Sequence, residues 1–425
     1  MSKVLLLSHS GFSDENANGI TMKNLLSAWC SDEKAEFYCN VEAPDYSAAA
    51  AYFRVTDMQM LTALFGKKAE HIFRARSDYV QSEVSSAAGK SAPRILSWLK
   101  KRKYHFGFKW MREILWQISP WGHKSLNRWI DAFAPDAVVY MVGESIFMDR
   151  LVLKTVKRTS AKLVLYNGEA YRIIDLNTRK GLERAYYRKE ERLYRRLNER
   201  SSLNIFNCVP LMQGYSELYP PLARQIVAYN SASSACATYR AHSPLSITYF
   251  GNLGVGRADS LVQIADVLYD IDQSLSIDIY GNAAEADQVK FNRYANIRYH
   301  GFVSAQSLHG ILERSDILLH VESFREAIAS KLQYAFSTKI AQYLCAGRPL
   351  LCYAPAGSAS SEYLRQENGA LVAANVTELK IGLTELIRDP ALRAAYAERA
   401  RRLGLQNHNR EITAAFVKRE IDSLL

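Results

Sequence analysis

Two segments in the second half of the chain combine residue types and spacings suited to holding a phosphate. The first is Ile247-Thr-Tyr-Phe-Gly251-Asn252-Leu-Gly254-Val-Gly256-Arg257. An apolar β-type run enters a glycine-rich turn and leaves into a helical pattern from about Asp259 to Asp272. Such a turn aims backbone N–H groups and a helix N-terminus at an anion. Gly251, Gly254 and Gly256 let a phosphate approach the main chain closely, with Asn252 between them. Arg257 adds a guanidinium able to grip two phosphate oxygens. The spacing is not G-x-G-x-x-G, which argues against a dinucleotide fingerprint.

The second segment runs Phe336-Ser337-Thr338-Lys339-Ile-Ala-Gln342-Tyr-Leu-Cys-Ala-Gly347-Arg-Pro349. Ser337 and Thr338 are suited to cap a helix that Gly347 ends. Lys339 then falls in the first helical turn, where its charge opposes the helix dipole. That placement makes sense if a phosphate also sits there. Gln342, one turn after Thr338, is placed to reach hydroxyls of the same ligand.

In the first half, Asn167-Gly168-Glu169 follows the apolar run Leu163–Tyr166, and Asn18-Gly19-Ile-Thr-Met-Lys23 follows Val4–Ser8. Sites in αβ folds collect beyond the C-terminal ends of parallel strands. Glu169 is therefore a candidate to bond an acceptor hydroxyl or a donor sugar, with a loop or helix-capping role as the alternative; Glu144 is a weaker candidate of the same kind. Nine histidines and six cysteines show no metal-ligand spacing, so no metal is expected. Asp270-Ile-Asp272 lies at a helix end rather than after a strand, which argues against a metal-binding D-x-D.

Apolar β-type runs alternate with amphipathic helical stretches along most of the chain, the pattern of parallel sheets built from βαβ units. The run from Pro210 to Pro244, with Pro220–Pro221 and the small residues Ser231–Ala237, reads as a linker between two αβ domains. The division expected is 1–225, joined by a C-terminal helix 410–425, and 226–409. No run reaches the ~18 apolar residues of a spanning helix, and the first apolar run, Val4–Leu7, is too short for a signal peptide. Scattered cysteines without a C-x-x-C pair suit a reducing compartment, so a cytoplasmic location is expected.

The chain carries 54 Lys+Arg against 43 Asp+Glu, a net +11, which suits an anionic partner. Arg94–Arg112 holds seven Lys/Arg, no acid and five large aromatics, a mixture suited to anionic lipid headgroups. Arg179–Arg200 holds nine Lys/Arg interleaved with four Glu and reads as a solvated helix face. No zinc-finger spacing or RRM-type motif is present, so nucleic acid is not expected as a partner.

The second half resembles the donor-binding half of bacterial glycosyltransferases of family 4, which have the GT-B fold. The matching pieces are Tyr249–Arg257, Tyr280-Gly281, His300-Gly-Phe-Val303, Ser315–Leu319, Phe336–Pro349, Leu350–Pro355, Ser361–Leu364 and Gly369–Val372. The Ser-Thr-Lys-Ile form resembles a branch that builds surface polysaccharides. The first half resembles the family only in outline.

The resemblance implies an α/β protein with two Rossmann-like αβα domains facing a central cleft, the C-terminal helix crossing back to the first. It implies a cytoplasmic retaining hexosyltransferase using a nucleotide-diphosphate sugar and a saccharide or lipid-linked acceptor. The Arg94–Arg112 stretch adds a peripheral place on the inner membrane face, and no cofactor or metal is expected if Arg257, Lys339 and helix dipoles neutralise the diphosphate. Arg257 and Lys339 would hold the diphosphate, the backbone of Gly301, Phe302 and Val303 would meet the base, and Gln342 the ribose. Glu169 would act in catalysis, and Gly19 and Asn167 would lie on the acceptor side. The family's usual pair of glutamates falls here on Tyr334 and Gln342, and a frequent second lysine on Val262. Glu322 or Glu326 is then expected to supply the donor-sugar contact. Rival readings are a nucleotide-sugar epimerase or dehydrogenase, and a GT-B protein that has lost its chemistry.

Overall fold

A computed structural model describes residues 2–66, 71–73, 106–233 and 238–425. The chain forms two compact units: Met1–Ala228 with Ala415–Leu425, and Tyr229–Ala414.

In unit 1 the strands are β1 (Val4–Leu7), β2 (Lys34–Tyr38), β3 (Ala51–Arg54), β4 (His71–Phe73), β5 (Ala137–Met141), β6 (Lys162–Asn167), β7 (Ser201–Phe206) and β8 (Arg224–Val227). They form one sheet of order β4-β3-β2-β1-β5-β6-β7-β8. All of its pairings are parallel except β3 with β4. The helices are α1 (Ala17–Leu25), α2 (Asp57–Ala63), α3 (Phe106–Ile118), α4 (His123–Phe133), α5 (Ile146–Thr159), α6 (Gly181–Arg200) and α7 (Val209–Leu218). The central strands are apolar on both faces, as a parallel sheet covered by helices requires.

Unit 2 holds β9 (Ile247–Phe250), β10 (Ile277–Tyr280), β11 (Ile297–Gly301), β12 (Ile317–Val321), β13 (Leu350–Tyr353) and β14 (Leu371–Ala373). Their order is β11-β10-β9-β12-β13-β14, all parallel. The helices are α8 (Arg257–Ile271), α9 (Glu285–Phe291), α10 (Ala305–Glu313), α11 (Glu326–Ala329), α12 (Lys339–Cys345), α13 (Ala359–Gln366), α14 (Val376–Arg388) and α15 (Pro390–Asn407). A last helix, α16 (Arg410–Asp422), begins in unit 2 and ends in unit 1, where Val417 and Ile421 join the core around Val4, Leu6 and Trp29.

Each sheet reverses its winding once, at β1/β5 in unit 1 and at β9/β12 in unit 2. In such sheets sites collect beyond the strand ends where the winding reverses.

The first half of the expected linker Pro210–Pro244 is structured, through α7 and β8. Pro210 sits in the first turn of α7, where its missing N–H costs nothing, and Ile226 of β8 is buried in the core. The units divide only after Ala228. Strands β3 and β4 carry too little alternation to be read from sequence.

Candidate active site

In unit 2 the glycine-rich turn leaves β9 at the reversal point and enters α8. Leu253 is buried beneath the turn, and the Asn252 side chain accepts from the Gly254 N–H at 2.7 Å. Gly251 has φ +127°, and a Cβ built there would lie 2.1 Å from Cε of Lys339. Gly256, at φ +83°, occupies the N-cap of α8, and a Cβ there would lie 2.6 Å from the Ser323 hydroxyl. Both glycines make room for groups that surround the turn. The 15-residue α8 starts at Arg257 itself, two residues earlier than the sequence pattern suggests.

Arg257 lies against Glu322, which follows β12: Nη2 is 2.8 Å and Nε 3.0 Å from Oε2. Glu322 is buried, and its backbone carbonyl accepts from the Ser260 hydroxyl at 2.7 Å. Lys339 is part-exposed, and its ammonium donates to the Tyr249 hydroxyl at 2.9 Å and lies 4.8 Å from that ring's centre. Burial, then the charge of Arg257, pull the Lys339 ammonium down to about 7 against the opposing pull of Glu322. His320, wholly buried below, stands 3.6 Å from Glu322 Oε1 and is held neutral by burial and the cations Lys339 and Arg257. Two cationic groups and one carboxylate thus meet where the backbone N–H groups of the α8 terminus point outward.

Around this cluster, Lys339 is the first residue of α12 and Gln342 is part-exposed on the same helix. Thr338 holds the N-cap position but makes no side-chain capping bond, contrary to expectation; the backbone carbonyl of Ser337 accepts from the Ile340 N–H at 3.2 Å, and Ser337 N–H donates to Ser360 Oγ at 3.0 Å. Gly301 ends β11 at φ +75°, and Phe302 beyond it is 69% exposed. Tyr334 ends a short 3-10 turn, and Glu326 is exposed at the start of α11. Glu322, expected to be free for a sugar, is instead committed to Arg257.

In unit 1 a cavity of about 270 Å³ opens at the other reversal point, lined among others by His9, Asn18, Arg112, Glu144, Glu169 and Tyr171. The loop carrying Glu169 is fixed from behind: Tyr215 donates to the Glu169 carbonyl at 2.9 Å, and Asn207 to the Gly168 carbonyl at 2.8 Å. The Glu169 side chain faces the cavity mouth, where partial desolvation raises its carboxyl. Glu144 pairs with Lys109 at 2.9 Å. His9 is held near pKa 3 by burial and by the Arg112 charge, and is therefore neutral. Asn167 is buried and accepts from Tyr194 at 2.9 Å, so it supports the loop from beneath. Gly19 is buried in α1, where a Cβ would strike the Gly11 carbonyl at 2.5 Å, so its role here is close packing.

The residue pattern missed Tyr249, His320, Arg325, His9 and Arg112. Arg325 packs beside Gly256 and pairs with Asp259, which also pairs with Lys290. His9 and Arg325 follow strands at a reversal point and Tyr249 and His320 lie within such strands, so the strand order was needed to see them; Arg112 comes from α3 and had no such signal. Among the described residues no three His, Cys, Asp or Glu side chains gather as a metal-ligand group. Likewise no helix among them is long and apolar enough to cross a membrane.

Residues 260–417 match a family model described as glycosyl transferase-like. No curated protein sequence matches the chain. Among solved structures, HepE of Anabaena in complex with UDP superposes with TM-score 0.64 at 13% identity, covering 99% of this chain and 100% of that one. A sucrose-phosphate synthase from Thermosynechococcus elongatus gives 0.61 at 10% identity, covering 99% of each chain. The UDP-forming α,α-trehalose-phosphate synthase of Burkholderia xenovorans gives 0.60 at 10% identity, covering 99% of this chain and 100% of that one. The two parallel-sheet units therefore form a GT-B fold.

Proposed function

We propose that the chain is a retaining hexosyltransferase of surface-polysaccharide synthesis. It takes a sugar from a nucleotide-diphosphate donor bound by unit 2 and passes it to a saccharide or lipid-linked acceptor bound by unit 1, at the cytoplasmic face of the membrane. The observation that carries this reading is the meeting of Arg257 and the Lys339 ammonium around the Gly251–Gly256 turn. The family match over residues 260–417 covers most of that unit. Similar structures solved in complex with UDP and with UDP-glucose support the donor class.

In this reading the diphosphate lies across the start of α8. As the glycosidic bond breaks, negative charge grows on the leaving phosphate, and fixed cations gain more there than in the ground state. Arg257 keeps one face toward Glu322, which holds the guanidinium plane in place. Lys339 gains a counter-ion and its full charge when phosphate arrives. The proposal assigns neutralisation to these two side chains and the helix terminus, with no metal. Gln342 meets ribose hydroxyls, and Gly301–Val303 the base. In unit 1, Glu169 meets the acceptor hydroxyl or the donor sugar, with neutral His9 on the same cavity.

Incubation with UDP-, GDP-, CMP- and dTDP-sugars tests this. A donor should raise the melting temperature, since it binds only the folded state, and nucleotide should be released with acceptor present and chelator added. An epimerase would change the sugar without release. A GT-B protein without chemistry would show the thermal shift and no release. No shift with any donor would overturn the reading.

A further inference from the structure

Helices α5 and α6 run side by side on one face of the unit 1 sheet and border a groove of about 890 Å³, whose Phe147 end adjoins the Glu144 loop and Arg112 of the unit 1 cavity. Its walls are two rows of cations at helical spacing. Arg150, Lys154 and Lys157 come from α5; Lys189, Arg192, Arg196 and Arg200 come from α6. No Asp or Glu lines the groove, and no ion pair joins any of the seven to an acid among the described residues. Three of the four acids of the same helix are spent elsewhere, Glu191 on Arg195, Glu183 on Arg179 and Glu190 on buried Arg172, and the fourth, Glu199, is exposed and does not line the groove. Expectation had Arg179–Arg200 as a self-paired solvated face. Two of its arginines are paired so, and four other cations are gathered on one side.

The cations repel one another. Burial and the charge of Arg150 lower the Lys189 ammonium, and burial and Lys154 lower His123 at the groove's edge. Folding alone does not favour seven like charges around one depression; an anion placed there does. The end wall is aromatic, with Trp116 stacked on Phe147 at 3.7 Å and Trp121 against Trp116. The α3 turn that brings Trp116 and Gln117 to the groove also carries an exposed apolar stripe: Met111 at 52%, Ile114 at 51% and Ile118 at 62%. A soluble polyanion would use the cations and leave that stripe in water. An anionic bilayer would use both, phosphates in the groove and the stripe among the upper acyl carbons.

We infer that the α5–α6 groove with its α3 rim is the surface by which unit 1 docks on acidic phospholipid headgroups. This deepens the proposed membrane location, which the sequence pattern alone had placed on Arg94–Arg112; residues 94–105 of that stretch lie outside the described residues. The occupant is a lipid surface, because the cations and the exposed apolar residues adjoin.

The test is flotation of the full chain with vesicles of phosphatidylcholine and phosphatidylglycerol at low and high salt. Wild type should float at low salt and release as salt rises. A variant carrying Lys154→Gln, Lys157→Gln, Arg192→Gln and Arg196→Gln removes four exposed groove cations. Each is worth about fivefold in partitioning, so binding should fall on the order of 10²-fold or more. A control carrying Arg240→Gln, Arg293→Gln, Arg388→Gln and Arg402→Gln loses the same charge elsewhere and should fall far less. Equal losses in the two variants, or none in the first, would overturn the groove as the docking surface. Wild type that ignores these vesicles yet is retained on heparin at the same salt would overturn the lipid assignment in favour of a soluble polyanion. Melting temperature with and without donor nucleotide is measured on both variants. An intact nucleotide shift beside lost flotation separates this surface from the donor site, so either proposal can fail without the other.

Discussion

The Arg257 guanidinium and the Glu322 carboxylate, separated by 65 positions in sequence, sit 2.8 Å apart at the reversal point of the second sheet, with Glu322 only 5% exposed in its side chain. The pair makes Arg257 a structural residue as well as a candidate phosphate ligand. Arg257→Ala leaves a carboxylate buried without its counter-charge, which costs about 2–3 kcal/mol when one side of the pair is partly open. The single variant should therefore melt several degrees lower. Arg257→Ala with Glu322→Gln should recover most of the loss, because the uncompensated charge is gone. Thermal melts of the single and double variants decide it; equal melting temperatures would mean the pair contributes nothing.

Activity should part from stability in the same variants. Glu322→Gln restores the fold and supplies no cation, so the double variant should remain on the order of 10²-fold or more below wild type in kcat/KM, the typical cost of one lost transition-state donor. Steady-state assays on the stability-matched double variant measure this directly. Recovery of activity along with stability would show that Arg257 acts through folding alone.

Lys339 gives a pH dependence of definite sign. Its ordinary value is 10.5, and in the fold it is pulled to about 7. Between those values the unfolded chain holds the proton and the fold does not, so this residue's contribution to stability rises with pH through that window. Below about 7 both states are charged, and the fold bears the full cost of the desolvated ammonium. Lys339→Met should therefore raise the melting temperature at pH 6 more than at pH 9. A phosphate needs the charged form, so donor affinity should weaken above pH 7, by up to about tenfold per unit. Calorimetric titration of nucleotide across that range should show proton uptake in wild type and none in Lys339→Met.

Gly251 tests the same site through the backbone. Its φ of +127° lies where side chains are strained, and an added Cβ would overlap Lys339 Cε and Nζ at 2.1 and 2.3 Å. Gly251→Ala must push the lysine off the Tyr249 hydroxyl or shift the turn. The expected result is a loss of about 1–3 kcal/mol in stability and a loss of the nucleotide-induced thermal shift. Gly66, at φ +79° with open space around it, serves as a comparison: Gly66→Ala pays the strain and should leave nucleotide binding intact.

What was legible beforehand was local. A lysine in a helix's first turn is visible as an anomaly because dipole and charge oppose each other within a few residues. The turn at Gly251–Gly256 shows because glycines mark positions where a side chain will not fit. Glu322 as the partner of Arg257 was not legible, since 65 residues and a strand crossing lie between them. His9 and Glu169 reach one cavity from loops after β1 and β6. The two cation rows of the groove are each readable as a helical stripe, but that they face each other follows only from α5 and α6 packing side by side. The Pro210–Pro244 run does hold the boundary between the units, but its composition did not show that α7 and β8 occupy its first half.

Glu169 carries the sharpest test in the first unit. Its backbone is held by Tyr215 and Asn207 from behind, which leaves the carboxyl facing the cavity without a packing duty. Glu169→Gln keeps size and hydrogen-bonding shape while removing the charge, so the melting temperature should stay within about one degree for an exposed substitution. A group that acts mainly in the transition state lowers kcat and kcat/KM together and leaves donor affinity alone. A drop on the order of 10-fold or more in both would fit proton transfer or charge stabilisation at that position. Because partial desolvation at the cavity raises this carboxyl, the wild-type acid limb should lie above that of an ordinary glutamate and vanish in Glu169→Gln. His9 shares the cavity but is neutral down to about pH 3, so His9→Asn should leave the acid limb in place. If Glu169→Gln keeps both the rate and the limb, the carboxyl belongs to the loop, and the acceptor chemistry must be sought at Glu144 or among the remaining polar groups of the same cavity.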